Sequence, residues 1–157
     1  MQAKQDAYGQ EVHDYFHGQT DITEIVERDD GYIDTSSGPD AYFAPYAAWS
    51  PVEQEAIQLA AGRVLDVGCG PGRVLLHLQA QGLEAVGIDN SPLAVEVARA
   101  RGAHGARVLS ITRASRKTLG TFDTIVMFGN NFGLFGTAQR ARWLLRRFDG
   151  MVRADGR

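Results

Sequence analysis

The chain has 157 residues and a formal net charge of −3, with 44% hydrophobic, 22% charged and 9% aromatic residues, which predicts one domain with its own core and excludes disorder and a collagen-like chain. Its longest apolar run falls short of the roughly 20 residues that cross a bilayer, and its N-terminus lacks the apolar stretch of a secretion signal, so we expect a cytoplasmic protein with no membrane partner. Its single cysteine, Cys69, excludes an intramolecular disulfide and a cysteine-rich zinc site.

The charges are distributed unevenly along the chain. Residues 1–60 carry 12 acidic and 2 basic side chains, whereas residues 61–157 carry 7 acidic and 14 basic ones. We therefore expect an N-terminal cap segment over residues 1–61, docked on a core over residues 62–157. The basic residues are spread over several predicted elements and do not form the clustered face that nucleic-acid binding requires.

The first predicted element of the cap is an amphipathic helix that carries His13 and His17. Their i, i+4 spacing is that of a zinc-binding helix, but Asp14 replaces the glutamate of that motif and no third ligand is apparent. We therefore predict surface histidines and no metal. The alternative reading makes one of these histidines a general base.

A second helix of the cap is predicted from Pro51 to about Ala61. Ser50 is an N-cap residue, Pro51 takes the first helical position, and Glu53 stands three residues after the cap, a pattern that favours a capping box. Gly62 is then expected to end the helix, because glycine readily adopts the left-handed conformation that follows a helix.

Short apolar runs and helical segments alternate after this point. Strands are predicted at residues 64–67, 85–88, 108–111 and 124–128. Helices are predicted over residues 73–81, from Ser91 and Pro92 to Gly102, and after Thr137, the last with Ala141, Leu144, Leu145 and Phe148 on its buried face. This order predicts an α/β fold, with a doubly wound, mainly parallel sheet and an N-terminal helical cap.

A glycine-rich loop joins the first of these strands to the next helix. Gly68, Gly70 and Gly72 allow a ligand to approach the backbone closely, and the N-terminus of the helix directs N–H groups toward it. Ligands of open α/β sheets bind at the carboxyl ends of the strands. We therefore predict a ligand site here, in which Cys69 is a small packing residue and not a nucleophile.

Two acidic residues restrict the kind of ligand. Asp66 stands just before the loop, and Asp89 ends the next strand, 17 residues after Gly72, where a carboxylate can accept both hydroxyls of a ribose. The spacing D-x-G-x-G-x-G departs from the dinucleotide fingerprint G-x-G-x-x-G, because residue 73 is Arg. A pyrophosphate is disfavoured beside Asp66, whereas a ligand with an amino group and a positive charge is compatible with it.

Three segments resemble the motifs of class I S-adenosylmethionine (SAM)-dependent methyltransferases. They are VLDVGCGPGR at 64–73, VGIDNSP at 86–92 and FDTIVMFGNN at 122–131, and the resemblance covers about residues 50–150. It implies a Rossmann-like fold, SAM as cofactor, and methyl transfer to a small-molecule acceptor. The implied reaction is an in-line displacement in which the protein mainly aligns the reactants, so no catalytic side chain is assigned.

The resemblance also implies a set of cofactor-binding residues. The methionine part of the cofactor would be surrounded by Asp66, Gly68, Cys69 and Gly70. Asp89 would bind the ribose, and Asn90 would lie near the adenine. The methyl-transfer side would be lined by Phe128, Gly129 and Asn130.

The chain departs from the family pattern in two places. Between Glu96 and Asp123 it has no acidic residue to bind the adenine amino group, which leaves the backbone or Ser110 for that contact. The loop over residues 128–131 is not the N-P-P-Y type, so methylation of the amino groups of bases or glutamine is not expected.

Six aromatic residues of the cap have two readings, as core residues or as a cover over the cofactor. They are Tyr8, Tyr15, Tyr32, Tyr42, Phe43 and Tyr46.

The chain stops at Arg157, where similar methyltransferases begin their fifth strand. The alternative function is therefore a truncated, non-catalytic fragment that binds cofactor or serves in an assembly. The fourth strand would then have an open edge, through which we expect dimerisation or aggregation. The acidic cap disfavours a nucleic-acid partner because it repels phosphates.

Overall fold

The computed structural model describes residues 5–36 and 38–157, without the side chains of Ser36, Asn130 and Phe132. Its helices are α1 (Ala7–Phe16), α2 (Asp40–Phe43), α3 (Pro51–Ile57), α4 (Arg73–Ala80), α5 (Pro92–Ala100), α6 (Arg116–Leu119) and α7 (Ala138–Asp149). Its strands are β1 (Glu24–Glu27), β2 (Ile33–Ser36), β3 (Arg63–Val67), β4 (Glu84–Asp89), β5 (Ala106–Val108) and β6 (Thr124–Val126). Within these ranges, no helix combines the length and the apolar character needed to cross a membrane.

Four strands form a parallel sheet in the order β5-β4-β3-β6. Leu65 of β3 pairs with Val86 of β4 on one side and with Ile125 of β6 on the other. The helices α4 and α5 follow β3 and β4 in the chain, as in successive crossover units. The predicted α/β fold with a mainly parallel, Rossmann-like sheet is confirmed.

The sheet is covered on both faces. Neighbouring residues of a strand point to opposite faces of a sheet, so Val64 and Leu65 report on one face each. Val64 lies in one apolar cluster with Leu75 of α4 and Val95 of α5, whereas Leu65 lies in a second cluster with Leu144 of α7. All five side chains are fully buried. Burial on both faces accounts for the apolar sequence of β3, which shows no strict alternation.

The third predicted strand lies nearer the N-terminus than expected. β5 spans Ala106–Val108, whereas the sequence pattern predicts residues 108–111. Ile111–Arg113 forms a short 3-10 helix, and its N-cap residue Ser110 accepts a hydrogen bond from the Thr112 N–H. A serine side chain that bonds nearby backbone favours such a turn over a strand.

α3 begins with the predicted capping box but ends at Ile57, four residues before the expected Ala61. The Ala61 N–H donates to Thr124 Oγ1 over 3.0 Å, and that hydroxyl donates back to the Ala61 carbonyl over 3.0 Å. Because both backbone groups of Ala61 bond to β6, this segment leaves the helix. Gly62 has a φ of +64° and leads into β3 instead of capping α3.

The last helix has a narrower buried face than predicted. Leu144 and Phe148 are buried and Ala141 packs against the same cluster, but Leu145 is 54% exposed. Leu145 follows Leu144 by one residue, which turns its side chain by about 100° away from the core.

The outer edge of β6 is not open along its whole length, contrary to expectation. The Phe122 N–H donates to the Met151 carbonyl over 2.9 Å, and the Ile125 N–H donates to the Arg157 carbonyl over 2.8 Å. Phe122 and Val152 form a parallel bridge. The last seven residues therefore lie along β6 and satisfy backbone groups that the sequence analysis leaves unpaired.

Helix α1 packs on the part of the chain that forms the parallel sheet and its helices, residues 63–157, hereafter called the sheet domain. Val12 is fully buried against Ala94 and Val97 of α5, so α1 is amphipathic as predicted. His13 and His17 stack with ring centroids 4.2 Å apart. In the described parts of the chain, no group of three His, Cys, Asp or Glu side chains is arranged to hold a metal ion.

Candidate cofactor site

A cavity of about 600 Å³ lies at the carboxyl ends of β3, β4 and β6, a volume typical of small-molecule sites. It brings together eight of the nine residues predicted for cofactor binding: Asp66, Gly68, Cys69, Gly70, Asp89, Asn90, Phe128 and Gly129. The ninth, Asn130, has its side chain outside the described residues.

Two glycines of the loop have a left-handed backbone and side chains of other residues close by. Gly68 has a φ of +77°, and a Cβ there would lie 2.4 Å from Asn131 Nδ2. Gly70 has a φ of +49°, and its Cβ would lie 2.5 Å from the Tyr8 hydroxyl. Both positions favour glycine because of the left-handed backbone and the close neighbours. The loop can therefore bring bare backbone to the cavity.

Asp89 is joined to this loop at the end of β4. Its Oδ2 accepts a hydrogen bond from the Gly70 N–H over 2.8 Å, and its Oδ1 accepts one from the Ser91 N–H over 2.9 Å. A carboxylate offers about four acceptor positions, so Asp89 can still accept a hydrogen bond from a ligand. Burial raises the pKa of Asp89, although the backbone N–H donors oppose this effect.

Asp66 is a buried carboxylate that needs a partner. It is 1% exposed, and its Oδ2 has no hydrogen-bond partner among the described residues. Burial, together with the negative charge of Asp89, raises the pKa of Asp66 to about 7. Because a buried unpaired carboxylate is costly, a cationic donor in the cavity would complete this site.

Arg73 and Glu53 also line the cavity, and the sequence analysis does not assign them to it. Arg73 Nη2 lies 2.5 Å from Glu53 Oε1, and the guanidinium lies 4.5 Å from the centroid of the Trp49 ring. The positive charge of Arg73 acts to lower the pKa of Asp66. An acidic group and a basic group thus occur together beside the glycine loop.

Two of the six aromatic residues of the cap line the cavity, namely Tyr8 and Tyr42. Their rings meet edge to face with centroids 5.2 Å apart. Burial raises the pKa of Tyr8 far above its ordinary value, so its hydroxyl stays protonated and can donate or accept a hydrogen bond. For these two residues, the position supports the reading of a cover over the site.

Asn131 is a further residue that the sequence analysis missed. Its Nδ2 donates to the Val67 carbonyl over 3.0 Å and to the Gly68 carbonyl over 2.8 Å. The loop after β6 is therefore tied to the loop after β3. It belongs to the FGNN segment over residues 128–131, whose other three residues are assigned to the site from the sequence.

Cys69 is 5% exposed and lies against Gly87 of β4, where an added Cβ would come 2.8 Å from its sulfur. Burial raises the pKa of the Cys69 thiol, so the nucleophilic thiolate is disfavoured. This environment agrees with the predicted packing role.

On the adenine side predicted from the sequence, Ser110 lines the cavity together with Asn90 and Leu109. The Ser110 hydroxyl lies 3.0 Å from the Thr112 hydroxyl.

Comparison with known proteins identifies a family. The model of a family described as a methyltransferase domain matches residues 64–156. A SAM-dependent methyltransferase from Bacteroides fragilis, solved in complex with S-adenosyl-L-homocysteine, has a TM-score of 0.88 and 32% identity, and the match covers 99% of this chain and 64% of that one. A TehB-like SAM-dependent methyltransferase from Corynebacterium glutamicum ATCC 13032 has a TM-score of 0.53 and 29% identity, over 65% of this chain and 55% of that one.

A curated relative is also a methyltransferase by name. The ubiquinone biosynthesis O-methyltransferase of Xanthomonas euvesicatoria pv. vesicatoria (strain 85-10) is 34% identical over 90 residues, which are 52% of this chain and 38% of that protein. The chain spans less than half the length of the Xanthomonas protein and of another curated relative, from Geobacillus sp. (strain WCH70).

Proposed function

Because the chain belongs to the methyltransferase domain family, we propose that it binds SAM in the cavity at the strand ends and transfers its methyl group to a small-molecule acceptor. The observation that carries this proposal is the pair of carboxylates in one cavity. Asp66 has a buried oxygen without a described partner, and Asp89 lines the same cavity with acceptor capacity left for a ligand.

The residues present fit the functional groups of SAM. The ammonium group of the methionine part would satisfy Asp66, and its carboxylate would suit Arg73, which lines the same cavity. The two ribose hydroxyls would donate to Asp89. Gly68 and Gly70 add no side chain of their own beside the methionine part, where Asn131 and the Tyr8 hydroxyl already lie close to the loop.

When bound, SAM would supply an electrophilic methyl group on a sulfonium. The protein then has to align the acceptor with it and exclude water. Phe128, Gly129 and Leu134 line the side of the cavity formed by the loop after β6, where we place the acceptor. A side-chain nucleophile is not required for this displacement, so we assign no catalytic residue.

Two observations support a small acceptor. The cavity volume of about 600 Å³ must hold the cofactor as well as the acceptor. The 12 acidic side chains of residues 1–60 would repel a phosphate backbone.

A second candidate function is cofactor binding without turnover, as part of a larger protein. It is supported by the share of its relatives that the chain spans, 64% of the Bacteroides protein and 38% of the Xanthomonas protein.

One assay separates the two functions. The protein is incubated with methyl-labelled SAM and a panel of small phenols and amines, and release of S-adenosylhomocysteine (SAH) is followed by mass spectrometry. Acceptor-dependent release that is lost in Asp89→Ala supports methyl transfer. Binding of SAM with no release for any acceptor supports the second function, and absence of binding contradicts both.

A further inference from the structure

A buried acid fixes the N-terminal helix to the sheet domain. Asp6, just before α1, is 2% exposed. Its Oδ1 caps α1 by accepting from the Gly9 N–H over 3.0 Å. Its Oδ2 accepts from the Ser91 hydroxyl over 2.8 Å and from the Leu93 N–H over 3.3 Å. One side chain thus bonds to the first turns of both α1 and α5.

The contact with Ser91 continues to the proposed cofactor site. The Ser91 N–H donates to Asp89 Oδ1 over 2.9 Å, and the Gly70 N–H donates to Asp89 Oδ2 over 2.8 Å. A short series of hydrogen bonds therefore links Asp6 to the ribose-binding carboxylate and to the glycine loop, although Asp6 does not line the cavity.

At the same place Gly9 of α1 lies against Ser91, the N-cap residue of α5. A Cβ on Gly9 would lie 2.3 Å from Asp6 Oδ2 and 2.3 Å from the Ser91 hydroxyl. A side chain here would displace the Asp6 and Ser91 side chains from their contact. Tyr8 precedes this glycine, and its hydroxyl occupies the space beside Gly70.

We propose that Asp6 is a positioning residue, which holds α1 on α5 so that Tyr8 covers the glycine loop. Docking of α1 and binding of the cofactor then strengthen each other, because the cavity wall that Tyr8 forms exists only when α1 is docked. Such coupling is reciprocal by thermodynamic necessity. This inference rests on the proposed binding of SAM.

The test measures SAH affinity by calorimetry and amide hydrogen exchange of α1 with and without SAH. In the unchanged protein, SAH slows exchange of the α1 amides. Asp6→Ala raises the dissociation constant of SAH by about tenfold, within the usual range for coupled sites, and the α1 amides no longer respond. Asp6→Asn keeps one acceptor oxygen and recovers part of the affinity, which general instability would not produce.

Two further variants complete the design. Gly9→Ala places a methyl group against the contact between Asp6 and Ser91 without changing a charge, and it weakens SAH binding in the same direction. Asp14→Asn changes an acid of α1 that bonds to Gln10, and it leaves SAH affinity unchanged. Exchange of the β3 and β4 amides reports whether the sheet domain stays folded.

The outcomes separate this inference from the proposed function. If the unchanged protein does not bind SAH, the proposed function fails. If it binds SAH but the α1 amides are not protected, or if Asp6→Ala binds SAH with unchanged affinity, the positioning role is overturned and the proposed function stands. If Asp6→Ala unfolds, two other measurements test the positioning role. SAH must protect the α1 amides of the unchanged protein and must bind more weakly to Gly9→Ala; failure of either overturns the role.

Discussion

The Gly70 N–H donates a 2.8 Å hydrogen bond to Oδ2 of Asp89. The glycine loop after β3 and the carboxyl end of β4 are therefore joined directly, and the residue proposed to bind the ribose also supports the backbone proposed to bind the methionine part. A change at Asp89 should affect both parts of the site.

Asp89→Ala should weaken SAH binding about 10- to 150-fold, the loss expected for roughly 1.5–3 kcal/mol of hydrogen bonding to a charged group. Calorimetry measures the affinity, and circular dichroism checks that the fold survives. Glu96→Gln is the matched control, because this exposed acid of α5 lies outside the cavity. Unchanged SAH affinity in Asp89→Ala would show that Asp89 does not bind the ribose.

SAH affinity should rise with pH between about 5 and 7. The pKa of Asp66 is raised to about 7, and only the ionised carboxylate pairs with an ammonium group, so affinity should rise up to about tenfold per pH unit and level off above pH 7. Below pH 7, binding should release a proton, which calorimetry in two buffers detects. Asp66→Asn should flatten the profile; a profile identical to that of the parent would contradict the assignment of Asp66.

The stability of the protein without ligand should depend on pH in the opposite direction, falling as the pH rises. Because the pKa of Asp66 is higher in the fold than its ordinary value of 3.8, the folded state binds this proton more tightly than the unfolded chain. The Asp66 contribution to the free energy of unfolding therefore falls as the pH rises from about 4 to 7, by up to about 4 kcal/mol. Urea unfolding at several pH values measures this contribution. If the free energy of unfolding of Asp66→Asn falls equally steeply with pH, the decrease does not come from Asp66.

Asn131→Ala should destabilise the glycine loop. The change removes both donations to the carbonyls of Val67 and Gly68, which should lower the free energy of unfolding by about 1–3 kcal/mol and weaken SAH binding. The exposed amide Gln139 of α7 provides the control Gln139→Ala. Parent-like stability and affinity in Asn131→Ala would mean that this tie between the two loops has no energetic weight.

Removal of residues 151–157 should promote association. These residues pair with the outer edge of β6, and Met151 is 1% exposed, so their loss would expose backbone groups and an apolar surface. Light scattering should show larger species than for the 157-residue chain. Arg153→Gln, which removes only the ion pair with Asp123, should stay close to the parent. Equal scattering by both chain lengths would contradict this role of the edge.

The local parts of the site could be predicted from the sequence. Asp66, the glycine loop and Asp89 belong to strand-loop-helix units whose pattern is written in consecutive residues, and parallel strands bring their carboxyl ends together. The structure places these residues around one cavity.

The remaining contacts depend on packing between distant segments. Tyr8 reaches the glycine loop only because α1 docks on α5, and no local pattern distinguishes it from the other tyrosines of the cap. Ala61 leaves the predicted helix because its backbone bonds to Thr124, 63 residues later. Such tertiary contacts override the propensities on which the predictions rest.

The most direct test of SAM binding in this cavity is a calorimetric titration of the 157-residue chain with SAH and, separately, with NAD. The arrangement of Asp66, the glycine loop and Asp89 predicts saturable binding of SAH at a single site, strongly weakened by Asp89→Ala, and no binding of NAD. Saturable binding of NAD, with no response to SAH, would contradict it.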